Sequence, residues 1–298
     1  GFDVTDGEGR TFHYDAPAER IVSTGAATTL TIAQAGAVSK IVAVDTYSTY
    51  DYTGYEELAA MDAVNLGSFY GETNHDYIVT SLINMVDTGE FSLDDTIILT
   101  SYSSNRALYD RLTGIGFTKV LVWTTDSVPD YDAIVQMVSD VSMIASGTVP
   151  ESVSSMLEKT QTVSDAVSGV TERTKALFVW YTGGEFSVGN SSIMNSMLEV
   201  ANAENIGYNG STASHYGDVN TVISLLEQNP GTVIFVNYSY GNAGGTAESF
   251  REDVLGGNTA YPVVIMDGLW NNWCPESADG LMTIGQYLYP TLLGEPYE

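Results

Sequence analysis

Positive charge is what the chain has least of. Its 298 residues hold 10 Lys and Arg against 38 Asp and Glu, a formal net charge of −28 at pH 7. So few cations cannot neutralise a phosphate backbone, which excludes nucleic-acid binding, and anionic lipid headgroups are poor partners for the same reason. The acid excess reads first as a solvating surface that resists association, and second as a field favouring cationic or metal-bearing ligands. Cysteine is nearly absent as well. Cys274 is the one thiol, so an internal disulfide and any Cys-rich metal site are ruled out. No apolar run approaches the ~18 residues of a membrane-spanning helix. Also missing are G-x-S-x-G, H-E-x-x-H, the Walker motif and a GxGxxG fingerprint, which removes the common hydrolase, zincin, NTPase and dinucleotide signatures. The chain is therefore read as a non-enzyme with no catalytic cofactor.

What is present is a core-forming composition, 44% hydrophobic, and a regular alternation of short apolar runs with helical patterns. In the first half, strands are predicted over 21–23, 40–44, 96–100 and 119–123, with helices over 28–35, 76–87 and 105–113. Short buried-type strands spaced by helices point to a parallel α/β sheet. A helix over 131–145 precedes the break "SGTVPE", and a long one follows over 151 to about 170, with Val153, Met156, Val163, Val167 and Val170 at helical spacing. It reads either as a core helix or as a rigid strut between two lobes, the favoured reading. The rhythm then restarts, with strands over 176–181, 232–238 and 263–266 and helices over 191–201, 219–228, 247–255 and 281–293. The predicted fold class is α/β: two Rossmann-like lobes with parallel sheets joined by one long α-helix. The domain boundaries are 1–148, 149–172 for the connecting helix, and 173–298.

In open parallel sheets, ligands sit outside the carboxyl ends of the strands. Those exits fall at 24–28, 46–52, 102–105, 124–130, 182–192, 239–246 and 267–273, and they are rich in aromatic residues. The candidate ligand-binding residues are Thr24, Gly25, Tyr47, Tyr50, Tyr52, Tyr70, Tyr102, Arg106 and Trp123 in the first lobe. Tyr181, Tyr216, Tyr238, Tyr240, Trp270 and Trp273 are their counterparts in the second. Large flat rings with one polar atom suit a bulky, partly apolar ligand. Trp123 and Trp180 lie inside strands and equally suit the core.

The stretch "DGEGRTFHYDAPAERIVSTGAATTLTIAQAGAVSKIVAVD" resembles the N-terminal signature of the ABC-importer substrate-binding proteins for siderophores, haem and cobalamin. That signature is a D-x-x-G-R hairpin (Asp6–Arg10), a Pro (Pro17), an R-I-V-S strand (Arg20–Ser23), a small-residue turn and a helix closing at Ala35-Gly36-Ala37. "SSIMNSMLEVANAENIGYNG" and "LLEQNPGTVIFV" are similar to second-lobe segments of the same family, and the long middle helix matches too. Where the family usually has Glu two places after the turn, this chain has Thr28-Thr29.

The resemblance implies an extracytoplasmic receptor, a monomer whose membrane leader is removed or absent. It would capture a metal-chelate ligand (a corrinoid, a ferric siderophore or haem) in an aromatic cleft between the lobes and deliver it to a permease. The small turn Gly25-Ala26-Ala27 would let the ligand approach the backbone. One acidic residue per lobe would dock the permease, for which Asp76 and Asp218 are the candidates. Anionic chelates need several Lys or Arg, and Arg106 is the best placed of the few available, so a neutral or cationic chelate is expected. The alternative is a bare metal ion held by His75 and His215 with nearby carboxylates (Glu72, Asp76 or Asp218), or a single axial contact to Fe or Co from His or Tyr.

Overall fold

The structure is a computed structural model that describes residues 1–101, 105–124, 130–210 and 215–296. The chain divides into two units, one formed by Gly1–Ser155 with Trp273–Pro275, the other by Met156–Asn272 with Glu276–Glu298.

The first unit opens with an antiparallel hairpin, β1 (Phe2–Thr5) and β2 (Thr11–Tyr14). Asp6 closes its turn. One carboxylate oxygen accepts from the backbone N–H of Glu8 and Arg10, the other from the Arg10 guanidinium and the Val122 N–H. A single buried acid thus ties the hairpin to the sheet. Next come β3 (Ile21–Ser23), α1 (Ala26–Gln34), β4 (Ile41–Val44), β5 (Val64–Asn65), α2 (His75–Asp87), β6 (Thr96–Ser101), α3 (Asn105–Ile115), β7 (Lys119–Thr124) and α4 (Tyr131–Ser146). The strands make a five-stranded parallel sheet in the order β5-β4-β3-β6-β7. Val22, Ala43, Ile97, Leu99, Val120 and Val122 join Ile78, Leu82, Leu108 and Leu112 of α2 and α3 in one buried cluster. On α4, Asp130 caps the N-terminus through the Ala133 N–H, and Gly147 ends the helix in a left-handed conformation, φ 75°.

Helix α5 (Glu151–Val167) begins in the first unit and continues in the second. Its 17 residues span about 25 Å. It stops short of the predicted residue 170: Ser168 and Val170 donate only to carbonyls three residues back, the shorter spacing with which helices commonly finish. Val153, Met156, Val163 and Val167 are buried, as their spacing predicts.

The second unit contains β8 (Lys175–Thr182), β9 (Glu185–Val188), α6 (Ser192–Val200), β10 (Glu204–Asn205), β11 (Gly217–Asp218), α7 (Val219–Gln228) and β12 (Val233–Val236). It continues with α8 (Tyr238–Asn242), α9 (Ala247–Leu255), β13 (Val263–Ile265), α10 (Glu276–Leu288) and α11 (Pro290–Leu293). Its sheet runs β11-β9-β8-β12-β13, with β10 also on β8. Leu177, Val179, Ile234 and Val236 pack with Val222, Leu226, Phe250 and Val254.

Three features correct the sequence expectations. The second sheet is mixed, because β9 runs antiparallel to β8 and β11 antiparallel to β9. The stretch 182–192 is therefore not a loop at a strand exit. Gly183 and Gly184, both at positive φ (62° and 81°), form the two-residue turn that a tight hairpin demands. The strand predicted over 232–238 ends at Val236, because Asn237 accepts from the Ser239 N–H and starts α8. The helix predicted over 281–293 starts earlier, after Pro275, and is interrupted where Pro290 begins α11.

Two predictions follow from the charge distribution. The 10 cations can offset at most 10 of the 38 acids, so self-repulsion acts against the folded state and screening relieves it. The thermal midpoint therefore rises between 0.05 and 2 M NaCl, read by circular dichroism at neutral pH, and a flat or falling midpoint contradicts this. Asp140, on α4, is raised to about 6 by burial, against the opposing hydrogen bond from Gln136. A carboxyl with a raised folded pKa binds its proton more tightly when folded, so its ionisation destabilises the fold as pH climbs from about 4 through 6. Asp140→Asn is accordingly more stable than the parent at pH 8, and the difference narrows as pH falls below about 6 and closes near pH 4.

Candidate functional site

In the first unit, the ends of β3, β4 and β6 are locked together by buried hydroxyls and one carboxylate. Thr24 receives the Thr100 N–H on its hydroxyl and donates to the Ile98 carbonyl (2.9 Å). The Thr100 hydroxyl donates to the Thr24 carbonyl, and Thr28 reaches Thr100 Oγ1 at 3.2 Å. Beside them a second chain runs Ser23 Oγ–Thr29 Oγ1 (2.8 Å), Thr29 Oγ1–Ser48 Oγ (2.6 Å) and Ser48 Oγ–Asp45 Oδ1 (2.5 Å). Asp45 is only 3% exposed. Burial raises its pKa, while the Ser48 hydroxyl and the backbone N–H groups of Gly25 and Tyr47 work the other way by stabilising the carboxylate. The Asp45 side chain thus joins the turn after β3 to the single-turn helix Thr46–Thr49 after β4.

Tyrosines cluster on that second turn. The Tyr47 ring meets Tyr50 at 5.3 Å and 65° and Tyr70 at 5.2 Å and 83°, edge to face in both cases. The three are 38%, 50% and 38% exposed, and Tyr52 Oη donates to the Tyr47 carbonyl (3.0 Å). Three tyrosines of the exit read at 46–52 thus lie together and are joined by Tyr70 from farther along the chain.

Other predicted residues serve the interior. Thr24 is fully buried with its hydroxyl taken by β6, and Trp123 is buried on β7. Gly25 answers to its own surroundings: φ is 81°, and a Cβ would overlap Thr100 Oγ1 and lie 2.9 Å from the Thr100 carbonyl. Packing inside the turn therefore requires this glycine. Tyr102 lies outside the described residues.

All six basic side chains of the first unit are engaged. Arg10 pairs with Asp6, Arg20 with Asp95, Arg106 with Glu8 and Arg111 with Asp76. Lys40 donates to the Ala145 carbonyl, and Lys119 lies 4.4 Å above the Tyr14 ring. Arg106, the cation best placed by sequence, is thus matched by its own counter-ion.

In the second unit, Tyr181 and Tyr240 pack with Phe186 and Phe250, with ring centroids 4.9 to 6.3 Å apart. Tyr240 is buried on α8, a core role instead of the loop position expected. Tyr238 and Trp270 are half-buried and rest on glycines. A Cβ at Gly268 would lie 3.1 Å from the Tyr238 ring, and one at Gly280 would lie 2.5 Å from Trp270 Cβ. Tyr216 donates to the Gly207 carbonyl at 2.6 Å, and burial raises its pKa. Trp273 is buried and belongs to the first unit.

The two histidines differ. His75 is the first residue of α2 and is 2% exposed, not a loop histidine. Burial lowers its pKa, with Arg111 adding and Glu72 and Asp76 opposing. His215 is exposed in the second unit. Its Nδ1 meets Ser187 Oγ at 2.7 Å and its ring centroid lies 5.7 Å from that of Trp180. Among the described residues no group of three or more His, Cys, Asp and Glu side chains could hold a metal ion. Asp76 is exposed and paired with Arg111, while Asp218 is exposed and caps α7 through the N–H groups of Asn220 and Thr221.

The fold is that of the class III periplasmic binding proteins of siderophore, haem and cobalamin transport. CeuE of Helicobacter pylori, solved with Ni(II) bound, superposes with a TM-score of 0.66 at 12% identity, over 98% of this chain and 90% of that one. An ABC-type Fe3+-hydroxamate transport protein of Saccharomonospora viridis gives 0.62 at 18% identity, over 97% and 98%. The periplasmic vitamin B12-binding protein BtuF of Vibrio cholerae gives 0.61 at 18% identity, over 91% and 97%. No family model matches the sequence, and no curated protein does either. No helix among the described residues is long and apolar enough to cross a membrane.

Residues that sequence reasoning missed include Asp45, Ser48, Thr29 and Ser187. Asp45 carried a local signal, "DTYS", in which an acid precedes a one-turn helix that it caps. The Gly25 assignment yields a prediction. Gly25→Ala forces a Cβ onto Thr100 in a left-handed backbone conformation, a change that destabilises by about 1–3 kcal/mol or more. Denaturant unfolding of the variant measures it, and a loss under about 0.5 kcal/mol is the level of an ordinary surface substitution and places the glycine's role elsewhere.

Proposed function

We propose that this protein is the extracytoplasmic substrate-binding component of an ABC importer and that its cargo is a metal chelate, a corrinoid or a neutral ferric siderophore being favoured over haem, whose two propionates make it anionic. The fold match carries the reading, since it extends over 97% of this chain to an Fe3+-hydroxamate transport protein. Supporting it, both units carry aromatic residues at or just beyond the ends of parallel strands: Tyr47, Tyr50, Tyr52 and Tyr70 in the first, Tyr181, Tyr238 and Trp270 in the second. These are the rings proposed to contact the ligand. The pairing of every basic residue in the first unit disfavours an anionic chelate. Asp76 and Asp218, one in each unit and both exposed, are the proposed permease contacts.

His215 is proposed as the protein's donor to the metal of the chelate. Ser187 engages Nδ1, which fixes the ring and directs Nε2 as the coordinating atom. An outer hydrogen bond of this kind orients metal-ligating histidines. A direct metal cluster built on His75 and His215 is not favoured, because no such group is found among the described residues.

Native mass spectrometry and visible absorbance of the purified protein with a cobalt corrinoid, a ferric hydroxamate, haem and NiCl2 test the reading. A one-to-one complex with at least one chelate is expected. His215→Ala shifts its absorbance band, and Ser187→Ala weakens binding about tenfold. Binding of no chelate, or of NiCl2 alone, overturns the proposal.

A further inference from the structure

His75 is the one buried histidine of the chain, and its surroundings suit it only while neutral. It is 2% exposed, and its Nε2 has no hydrogen-bond partner among the described residues. A neutral ring tolerates this by leaving Nε2 as a bare lone pair. An imidazolium carries N–H on both nitrogens and needs an acceptor for each. The position opposes positive charge a second time, because His75 is the first residue of α2, a 13-residue helix whose start carries the positive end of the dipole. The charged groups around it are Glu72 in the preceding loop, Asp76 on the same helix and Arg111 on α3. Of these, Asp76 is already paired with Arg111 at 2.8 Å. No group of side chains among the described residues could hold a metal ion there, so a proton is the cation the ring has to meet. Its neighbour in the chain, Asn74, fastens a loop. Asn74 Nδ2 donates to the carbonyls of Leu66 (2.7 Å) and Ser68 (3.1 Å), and the loop 66–74 carries Tyr70, whose ring meets Tyr47 at 5.2 Å.

We propose that His75 is an acid-operated latch: taking up a proton expels its ring from the interior and releases the first turn of α2 together with the loop 66–74. Burial lowers its pKa, with Arg111 adding and Glu72 and Asp76 opposing. A histidine whose folded pKa is depressed binds its proton more tightly once it is out. The closed state therefore loses stability as pH falls through about 6.5 and below. Asp45, Asp140 and His13 are displaced upward and act with the opposite sign, stabilising the fold on acidification. Among the displaced acids and histidines, His75 alone makes acidification unfavourable. For its biological role the latch rests on the chelate reading, in which Tyr70 contacts the ligand and acid loosens the hold on it. The opening itself is independent of that reading.

Hydrogen exchange of the full chain, followed by mass spectrometry at pH 7.5 and 5.5 and corrected for intrinsic rates, tests the latch. The first turn of α2 and the loop 66–74 are expected to exchange roughly 3- to 10-fold faster at pH 5.5, the upper figure being the limit for an imidazole of ordinary pKa about 6.5. Helix α9 in the second unit, which holds no histidine, keeps its rate. His75→Phe fills the same space without a titratable nitrogen and abolishes the acid effect. His75→Gln is a second uncharged variant, and 13C-histidine NMR of the parent reads His75 directly should neither variant fold. An unchanged parent, an acid effect that persists in either variant or extends to α9, or a His75 signal that titrates while α2 stays protected overturns the latch. A ferric hydroxamate bound at pH 7.5, released by the parent at pH 5.5 and retained by His75→Phe supports its role in cargo release. With the exchange effect present, equal binding at both pH values keeps the latch and rejects that role. No ferric hydroxamate bound at either pH keeps the latch and rejects that cargo.

Discussion

A carboxylate almost sealed from solvent lies where the first two parallel strands of the N-terminal unit end. Burial works against the charge of Asp45, and a serine hydroxyl and backbone N–H groups from two different turns oppose that effect by pointing at its carboxyl. An unpartnered buried carboxyl is expensive, whereas one met by several donors is stabilised and orders what surrounds it. Through Ser48 and Thr29 the same acid connects to Ser23 on β3, so a strand end, a helix start and a one-turn helix move as one piece. The exposed tyrosines rest on this piece. Removing any donor would leave a buried acceptor short of a partner, which is why the network tolerates little change.

The same economy of charge governs the rest of the first unit. Cations are few in the whole chain, and each of the first unit's six is committed to a structural partner, Arg106 to an acid from the N-terminal hairpin turn. A surface left with rings and acids then sets the character of what approaches it. In the second unit the aromatic residues divide differently. Tyr240 goes into the core beside Phe186 and Phe250, while Tyr238 and Trp270 remain half-buried on glycine.

Much of the fold was legible because its strands are continuous apolar runs. "TIILT" and "KVLVW" became adjacent parallel strands, and the residues spaced along 153–167 were buried as a helix requires. The β8–β9 hairpin was not read, although "TGGE" between two apolar segments is a turn signal. The alternation of strand and helix suggested a parallel return, and two glycines outweighed it. The aromatic surface at Tyr47 and Tyr50 was legible from crowding in the chain. The Thr24–Thr100 and Ser23–Thr29–Ser48–Asp45 contacts were not, because isolated hydroxyls far apart in sequence leave no periodic trace. Tyr240 shows the limit of neighbour-based reasoning: flanked by Ser and Gly, it looked loop-like, yet a short helix turns it inward.

The glycine seats beneath Tyr238 and Trp270 carry a consequence for how such a surface diversifies. A ring wedged against a bare backbone has little rotational freedom left to lose, so its orientation is set by the seat as much as by the ring. Adding one methyl group at Gly268 or Gly280 would tilt an aromatic plane while leaving its chemistry intact. Descendants of this chain could therefore change the outline of what they hold without altering a single aromatic residue.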